Sequence, residues 1–268
     1  MKPRIATLVS IQDEAENVKT FTFSYNRLMS KPGQFVMLWI PEVDQKPFSI
    51  ANDDGTTFST AVFKINTFTQ ALFSLKIGDS VGVTGPFGKP FTWQPKQHVI
   101  AVGGGYGAAP LAYLINQAKQ NNCTYELLLG ARRQSLLLYP DKFPGHTHLA
   151  TDDGSAGYKG YVTELLEQRL MILTEDQRKN TIVAVCGPEP MEYAAAKVAE
   201  KYNVSSQISI ERYMKCGFGM CGQCCIDDSG EPMCTVGPVI SGKHALSLKE
   251  FGQYHRDKCG IKQYYKSR

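Results

Sequence analysis

The chain has 268 residues, enough for one large domain or two to three smaller ones with a real core. Hydrophobic residues make up 43% and charged residues 20%, an ordinary globular balance, and a net charge of +4 with no basic block among aromatics argues against a nucleic-acid partner. No run approaches the roughly 18 apolar residues of a membrane span, and the first ten residues lack the apolar stretch of an export signal, so no membrane contact and a cytoplasmic location are expected.

Residues 1–97 read as β-rich. Val18–Ser24 alternates, with Val18, Thr20, Thr22 and Ser24 on one face, and residues 34–39, 59–65 and 80–83 are further strand-like runs. Turn signals separate them at Pro32-Gly33, Asp53-Asp54-Gly55, Gly78-Asp79 and Gly85-Pro86. Short strands at such spacing predict a small antiparallel β-barrel.

The pattern changes at His98. An apolar run over 98–102 ends in Gly103-Gly104-Gly105, and 108–119 has helical character. Strands are predicted at 125–129, 147–150 and 181–186, and helices at 162–170 and 191–202. Strands alternating with helices indicate a parallel α/β sheet over residues 98–206.

Three loops in this half fall at strand ends. Gly103, Gly104, Gly105 and Gly107 sit where backbone N–H groups at a helix start face a phosphate, although they do not form the strict GxGxxG fingerprint. Asp152, in Thr151-Asp152-Asp153-Gly154-Ser155, suits a helix cap or a ribose. Cys186-Gly187-Pro188 repeats the logic, with Cys186 placed either to approach a nicotinamide or to pack in the core. Each loop alone also reads as a plain turn. Together they line the edge where open α/β sheets bind ligands. Arg132 and Arg133 follow another strand, either as a 2′-phosphate site or as a solvated edge.

Residues 207–268 lose regular periodicity. Five of the eight cysteines lie between Cys216 and Cys234, which in a chain without an export signal favours a metal site over disulfides. The spacing Cys216-x4-Cys221-x2-Cys224-x9-Cys234 matches, over its first three positions, a plant-type 2Fe–2S loop. Gly217, Gly219 and Gly222 let backbone amides approach the sulfides, and Cys234 is the nearest fourth ligand. Cys225 adjoins Cys224, but Cys224 preserves the spacing. Tetrahedral zinc is the alternative, although zinc sites usually show two CxxC pairs and here there is one. The segment has too little core to fold alone, so it depends on a metal or on docking. Cys123 and Cys259 read as packing or surface thiols, and the five histidines show no ligand spacing.

The order of a barrel, Lys46-Pro47-Phe48-Ser49-Ile50, a glycine loop, Cys186-Gly187-Pro188 and a cysteine tail resembles the ferredoxin–NADP reductase superfamily. Within it, Glu211-Arg212-Tyr213-Met214-Lys215-Cys216-Gly217-Phe218-Gly219-Met220-Cys221 and Cys234-Thr235-Val236-Gly237-Pro238-Val239 resemble the electron-transfer subunits of two-component dihydroorotate dehydrogenases. The resemblance spans essentially the whole chain, and residues 251–257 look like archaeal members. It implies an α+β multidomain chain: an FAD-binding β-barrel (1–97), an NAD-binding α/β domain (98–206) and a 2Fe–2S domain (207–268). It further implies that Lys46, Pro47, Phe48 and Ser49 hold FAD, with Val62, Phe63 and Lys64 and a turn ending in Phe68 and Thr69 adding contacts, and that the Gly103–Gly107 loop holds NAD(H). The implied partner is an FMN-containing catalytic subunit, in a heterotetramer, and the expected path runs between NADH, FAD, the cluster and that subunit. Related flavin subunits of hydrogenases, sulfide dehydrogenases and ferredoxin:NADP reductases are the first alternative, and a zinc-stabilised nucleotide-binding regulator is the second. Lys46 stands where Arg is frequent, keeping the charge without the bidentate fork. Asn66 stands where glycine is usual, and Asn tolerates left-handed backbone.

Overall fold

The computed structural model describes residues 2–265. The chain first builds an antiparallel sheet from β1 (Arg4–Ala15), β2 (Val18–Ser24), β3 (Phe35–Ile40), β4 (Asp44–Ser49), β5 (Asn52–Asp53), β6 (Thr57–Phe63) and β7 (Ser80–Phe87), with α1 (Thr67–Phe73) between the last two. Its order is β4-β3-β7-β1-β2-β6-β5. The outermost strands, β4 and β5, are joined only by Ile50-Ala51, so the sheet curls and its two ends approach each other. Thr60 Oγ1 of β6 donates to the Ser49 carbonyl of β4 at 3.0 Å and spans that seam. Phe21, Phe23, Leu38, Phe58, Val62 and Val83 fill the interior, and Phe68 and Leu72 of α1 plug it.

Three elements differ from the sequence expectation. The strand expected over 80–83 runs on to Phe87 through Gly85-Pro86, because an irregularity opposite Val36 absorbs a proline that cannot donate to the ladder. The turn expected to end in Phe68 and Thr69 is instead the first helical turn of α1. Asn66 is its N-cap with extended backbone (φ −140°), so no left-handed conformation is needed there. Its side chain accepts from the Thr69 N–H at 3.0 Å, while the Asn66 N–H donates to Thr69 Oγ1 at 2.9 Å, a reciprocal capping box. The long β1 shows no alternation because most of its side chains are at least partly exposed.

The second sheet contains β8 (His98–Gly104), β9 (Thr124–Ala131), β10 (Thr147–Thr151), β11 (Tyr158–Lys159), β12 (Thr181–Cys186), β13 (Ser205–Ser209) and β14 (Val239–Ser241), in the order β11-β10-β9-β8-β12-β13-β14. All pairs are parallel except β13 with β14. The expected strands and helices of this half appear within a few residues of their anticipated ends. α2 (Ala108–Gln120) covers one face; α3 (Val162–Met171) and α5 (Glu189–Lys201) cover the other, with the short α4 (Glu175–Lys179) between them in sequence. The tail contributes β14, α6 (Met233–Val236), α7 (Gly242–Ser247) and a hairpin of β15 (Tyr254–Arg256) and β16 (Lys262–Tyr264). Among the described residues no helix is long and apolar enough to cross a membrane.

Glu126 on β9 ties α3 to the sheet. Arg169 grips its carboxylate twice, at 2.7 and 2.8 Å, and His98 and His148 flank it at 3.5 and 3.3 Å. Burial pushes this carboxyl up, but the hydrogen bonds from His98 and Arg169 outweigh it and bring it down to about 2. A depressed carboxyl stabilises the fold above its unfolded value of 4.5, and the contribution fades as pH falls through about 2. Glu126→Gln is expected to cost about 1–3 kcal/mol at pH 7, with the gap to the parent narrowing below that unfolded value. Denaturant titrations across this range check it; a gap independent of pH contradicts the assignment.

Candidate functional site

The parallel sheet reverses its winding between β8 and β12, which lie side by side. A crevice opens at such a point beyond the strand ends, and here the two turns meet with almost no space between them. A Cβ on Gly107 would stand 2.3 Å from the Cys186 carbonyl oxygen, and one on Gly187 would stand 2.9 Å from the Gly104 nitrogen. Gly105 has φ +54° with open space beside it. Gly103, Gly104, Gly105 and Gly107 therefore lie against Cys186, Gly187 and Pro188 on one strand-end edge. Asp152 follows β10 on the same edge, two strands away. The Gly187 N–H donates to Glu192 Oε1 at 3.1 Å, and burial, then the Glu192 carboxyl, pushes the Cys186 thiol up. Arg133 is taken by a bidentate pair with Glu16 at 2.8 Å that fastens the two sheets together.

Lys46, Pro47, Phe48 and Ser49 lie on the sheet-end strand β4. Lys46 Nζ pairs with Asp44 at 2.6 Å, donates to the Tyr213 hydroxyl at 3.4 Å, and lies 5.3 Å from that ring's centre. This links β4 to the segment that enters the cysteine loop. Phe48 stacks on Phe68 at 5.7 Å, Val62 is buried, and Ser49 is exposed. Phe63 stacks on Tyr106 at 6.1 Å and 16°, bringing the end of β6 against the glycine loop. Lys64 follows with its amide donating to the Asn17 carbonyl. The Thr69 hydroxyl is occupied by the α1 cap, accepting from the Ile65 and Asn66 amides.

The cysteine loop is wound by Gly217, Gly219 and Gly222, with φ of +86°, +83° and +68°. Cys224 and Cys234 are buried, Cys216 and Cys225 are half-buried, and Cys221 is exposed. The thiols neighbour one another in pairs. The free thiols of Cys216 and Cys221 are neighbours, as are those of Cys224 and Cys234. The Gly219 amide donates to Cys234 Sγ at 3.1 Å, and the Cys234 amide to Cys224 Sγ at 3.4 Å. Among the described residues no three His, Cys, Asp or Glu side chains converge on a single-ion site. A 2Fe–2S cluster takes four thiolates, two to each iron, and two adjacent pairs with amides aimed at sulfur fit that donor set. Burial pushes the Cys216 thiol up, but amide hydrogen bonds from Phe218 and Cys221, the Cys221 thiol and the Met220 amide outweigh it and bring it down to about 6. Burial and then Cys224 push Cys234 up to about 12. The Cys225 thiol is also raised, by burial and by Cys224 and Cys221.

Sequence reasoning passed over Tyr106, Glu211 and Tyr213. Tyr106 stacks on Phe63 and donates to Glu211 at 3.5 Å, and Glu211 is raised by burial first. The available signal was a charged pair, Glu211-Arg212, placed just ahead of the cysteine cluster. Only the fold shows that these side chains meet residues far away in the chain.

Residues 211–245 match the model of the iron-sulfur cluster binding domain of dihydroorotate dehydrogenase B, and residues 101–197 match that of the oxidoreductase NAD-binding domain. A protein of Methanocaldococcus jannaschii named probable dihydroorotate dehydrogenase B (NAD(+)), electron transfer subunit, is 41% identical over 98% of this chain and 99% of its own. Its namesake in Methanothermobacter thermautotrophicus is 38% identical over 96% of both chains. The structure resembles one of NADH-dependent reduced ferredoxin-NADP oxidoreductase (TM-score 0.78, 28% identity, 90% of this chain and 89% of that one). It shares its fold with phthalate dioxygenase reductase (TM-score 0.62, 14% identity, 74% and 64%). The chain belongs to the family of dihydroorotate dehydrogenase B electron transfer subunits.

The Cys224-Cys225 pair is open to direct test. Cys224 accepts from the Cys234 amide and is buried in the shared core, whereas Cys225 is half-buried and outside that core. Cys224→Ser should abolish the visible absorption and iron content of the tail, while Cys225→Ser should leave both within error of the parent. Iron analysis and spectra of the two variants, purified without oxygen, separate the outcomes.

Proposed function

We propose that this chain carries electrons between NAD(H), FAD and a 2Fe–2S cluster, exchanging them with an FMN-containing dihydroorotate dehydrogenase catalytic subunit in a heterotetramer. The observation that carries the reading is contiguity. Tyr213 of the cysteine lead-in bonds Lys46, Tyr106 of the glycine loop stacks on Phe63, and the cysteine loop packs on the core of both sheets. In this reading residues 1–97 form a closed barrel for FAD, 98–206 hold the nicotinamide cofactor and 207–268 hold the cluster. The cytoplasm suits it, since free thiols persist there.

Bound flavin supplies the conversion between two-electron hydride transfer and one-electron steps. The protein's part is binding and placement. Lys46 brings positive charge to the flavin side of β4, held in place by Asp44 and Tyr213. Pro47, Phe48, Ser49, Val62, Phe63, Lys64, Phe68 and Thr69 frame that side, with Thr69 acting through its backbone and its cap. Gly103, Gly104, Gly105 and Gly107, with Cys186, Gly187 and Pro188, leave backbone where a nucleotide needs close approach, and Asp152 is placed for its ribose. The Phe63–Tyr106 stack joins the two halves beside the glycine loop. Cys216, Cys221, Cys224 and Cys234 supply the cluster thiolates. Phe218, Met220 and Cys221 are exposed on this loop, so a partner's cofactor can come close to the cluster.

Protein purified without oxygen should show flavin absorption, contain iron and sulfide, and give a rhombic electron-resonance signal once NADH is added. A colourless chain with stoichiometric zinc overturns the reading. Gly107→Ala, whose new methyl group meets the Cys186 carbonyl, should raise the NADH Kd by roughly tenfold or more, about 1.4 kcal/mol. Its flavin and iron contents should stay at the parental level, which titration and spectra together report.

A further inference from the structure

Arg212 lies between the last parallel strand and the cysteine loop, with its side chain only 4% exposed. Two carboxylates as deeply buried, Glu189 at 2% and Glu250 at 5%, enclose its guanidinium. Each carboxylate uses one oxygen on Arg212 and the other on a distant backbone amide. Glu189 accepts from Arg212 Nη1 and from the Gly252 N–H at 2.8 Å. Glu250 accepts from Arg212 Nε at 3.0 Å and from the Asp227 N–H at 2.8 Å. Arg212 Nη1 also donates to the Glu211 carbonyl at 2.8 Å.

These bonds join segments that are far apart in the chain. Glu189 opens α5 directly after Cys186-Gly187-Pro188, and Glu192, one turn on, accepts the Gly187 N–H. Arg212 precedes Cys216 in the lead-in to the cysteine loop, and Asp227 follows Cys224 and Cys225 at its exit. Asp227 is gripped from outside as well, by Arg256 at 2.6 and 2.8 Å and by the Tyr254 hydroxyl at 2.7 Å. A buried ion network adds little net stability, because desolvation offsets most of its attraction, yet moving one member strips another of its partner. Such a network is therefore stiff, and it holds three backbone segments in one geometry.

We propose that Arg212 is a positioning residue that couples the nicotinamide loop to the cysteine loop through Glu189 and Glu250, so that a nucleotide at the first alters the environment of the second. The inference rests on the proposed roles of those two loops. A nucleotide seated on Gly187 and Pro188 fixes the first turn of α5, Glu189 then fixes Arg212, and Glu250 fixes the Asp227 amide at the loop exit.

The test crosses the two ends in the full-length holoprotein. Glu250→Gln lies on the cluster side and Glu189→Gln on the nucleotide side; both keep side-chain shape, and both residues are buried. NAD+ affinity is read by titration, and the reduced cluster by its electron-resonance spectrum with and without NAD+. In the parent, NAD+ should shift the spectrum. Glu250→Gln should weaken NAD+ roughly three- to tenfold, and Glu189→Gln should abolish the NAD+-induced shift at full cluster content. Arg212→Lys, which keeps the charge but loses the fork, should show both effects. Unchanged NAD+ affinity in Glu250→Gln, or a parental spectrum indifferent to NAD+, overturns the coupling. A parent without flavin or cluster argues against the functional reading itself, and is seen before any variant is compared.

Discussion

The cysteine loop has no core of its own, and its packing onto a borrowed one organises the molecule. Cys224, Ile226, Met233 and Cys234 are buried in the same cluster as Phe35, Met37 and Phe87 of the antiparallel sheet and Val183, Val185 and Ala195 of the nucleotide half. A Cβ on Gly217 would run into the Phe87 ring at 2.8 Å, which shows how closely the loop lies on the first sheet. β14 then locks the tail to β13 as an antiparallel strand. A short segment rich in glycine cannot bury enough apolar area to repay its own ordering. Sharing a core removes that difficulty and sets Cys224 and Cys234 against both sheets.

The same requirement for closeness explains the glycines at the strand ends. Parallel strands deliver their loops to one edge, and those after β8 and β12 pack directly on each other there. A side chain at Gly107 would run into the Cys186 carbonyl of the neighbouring loop. Glu192 is buried beside this edge, and desolvation is the first cause that raises its carboxyl.

Much of this was legible along the chain, for definite reasons. The nucleotide half could be read because fully buried parallel strands are continuous apolar runs and their helices keep a separate period. Thr181–Cys186 has in the structure the bounds that its sequence implies. The cysteine spacing was legible because a loop wrapping a cluster uses near neighbours. The antiparallel half was harder. β1 carries mostly exposed side chains, β4 contains a proline and two charged residues, and α1 has too few residues to show a period. Asn66 and Thr69 made a helix start where a turn was expected, since the same residues serve both.

By itself the sequence marked a β-rich stretch, an alternating strand-and-helix stretch and a dense cysteine cluster, because periodicity and residue spacing are local properties. It also marked the family, through motifs spread over the whole length. The tertiary structure alone decided which segments meet. It curled β4 towards β5, set Tyr106 on Phe63, placed Lys46 beside Tyr213, and turned Arg212 inward between Glu189 and Glu250. A charged side chain looks the same in a sequence whether it faces water or a buried partner, and only packing removes the water and makes that partner obligatory.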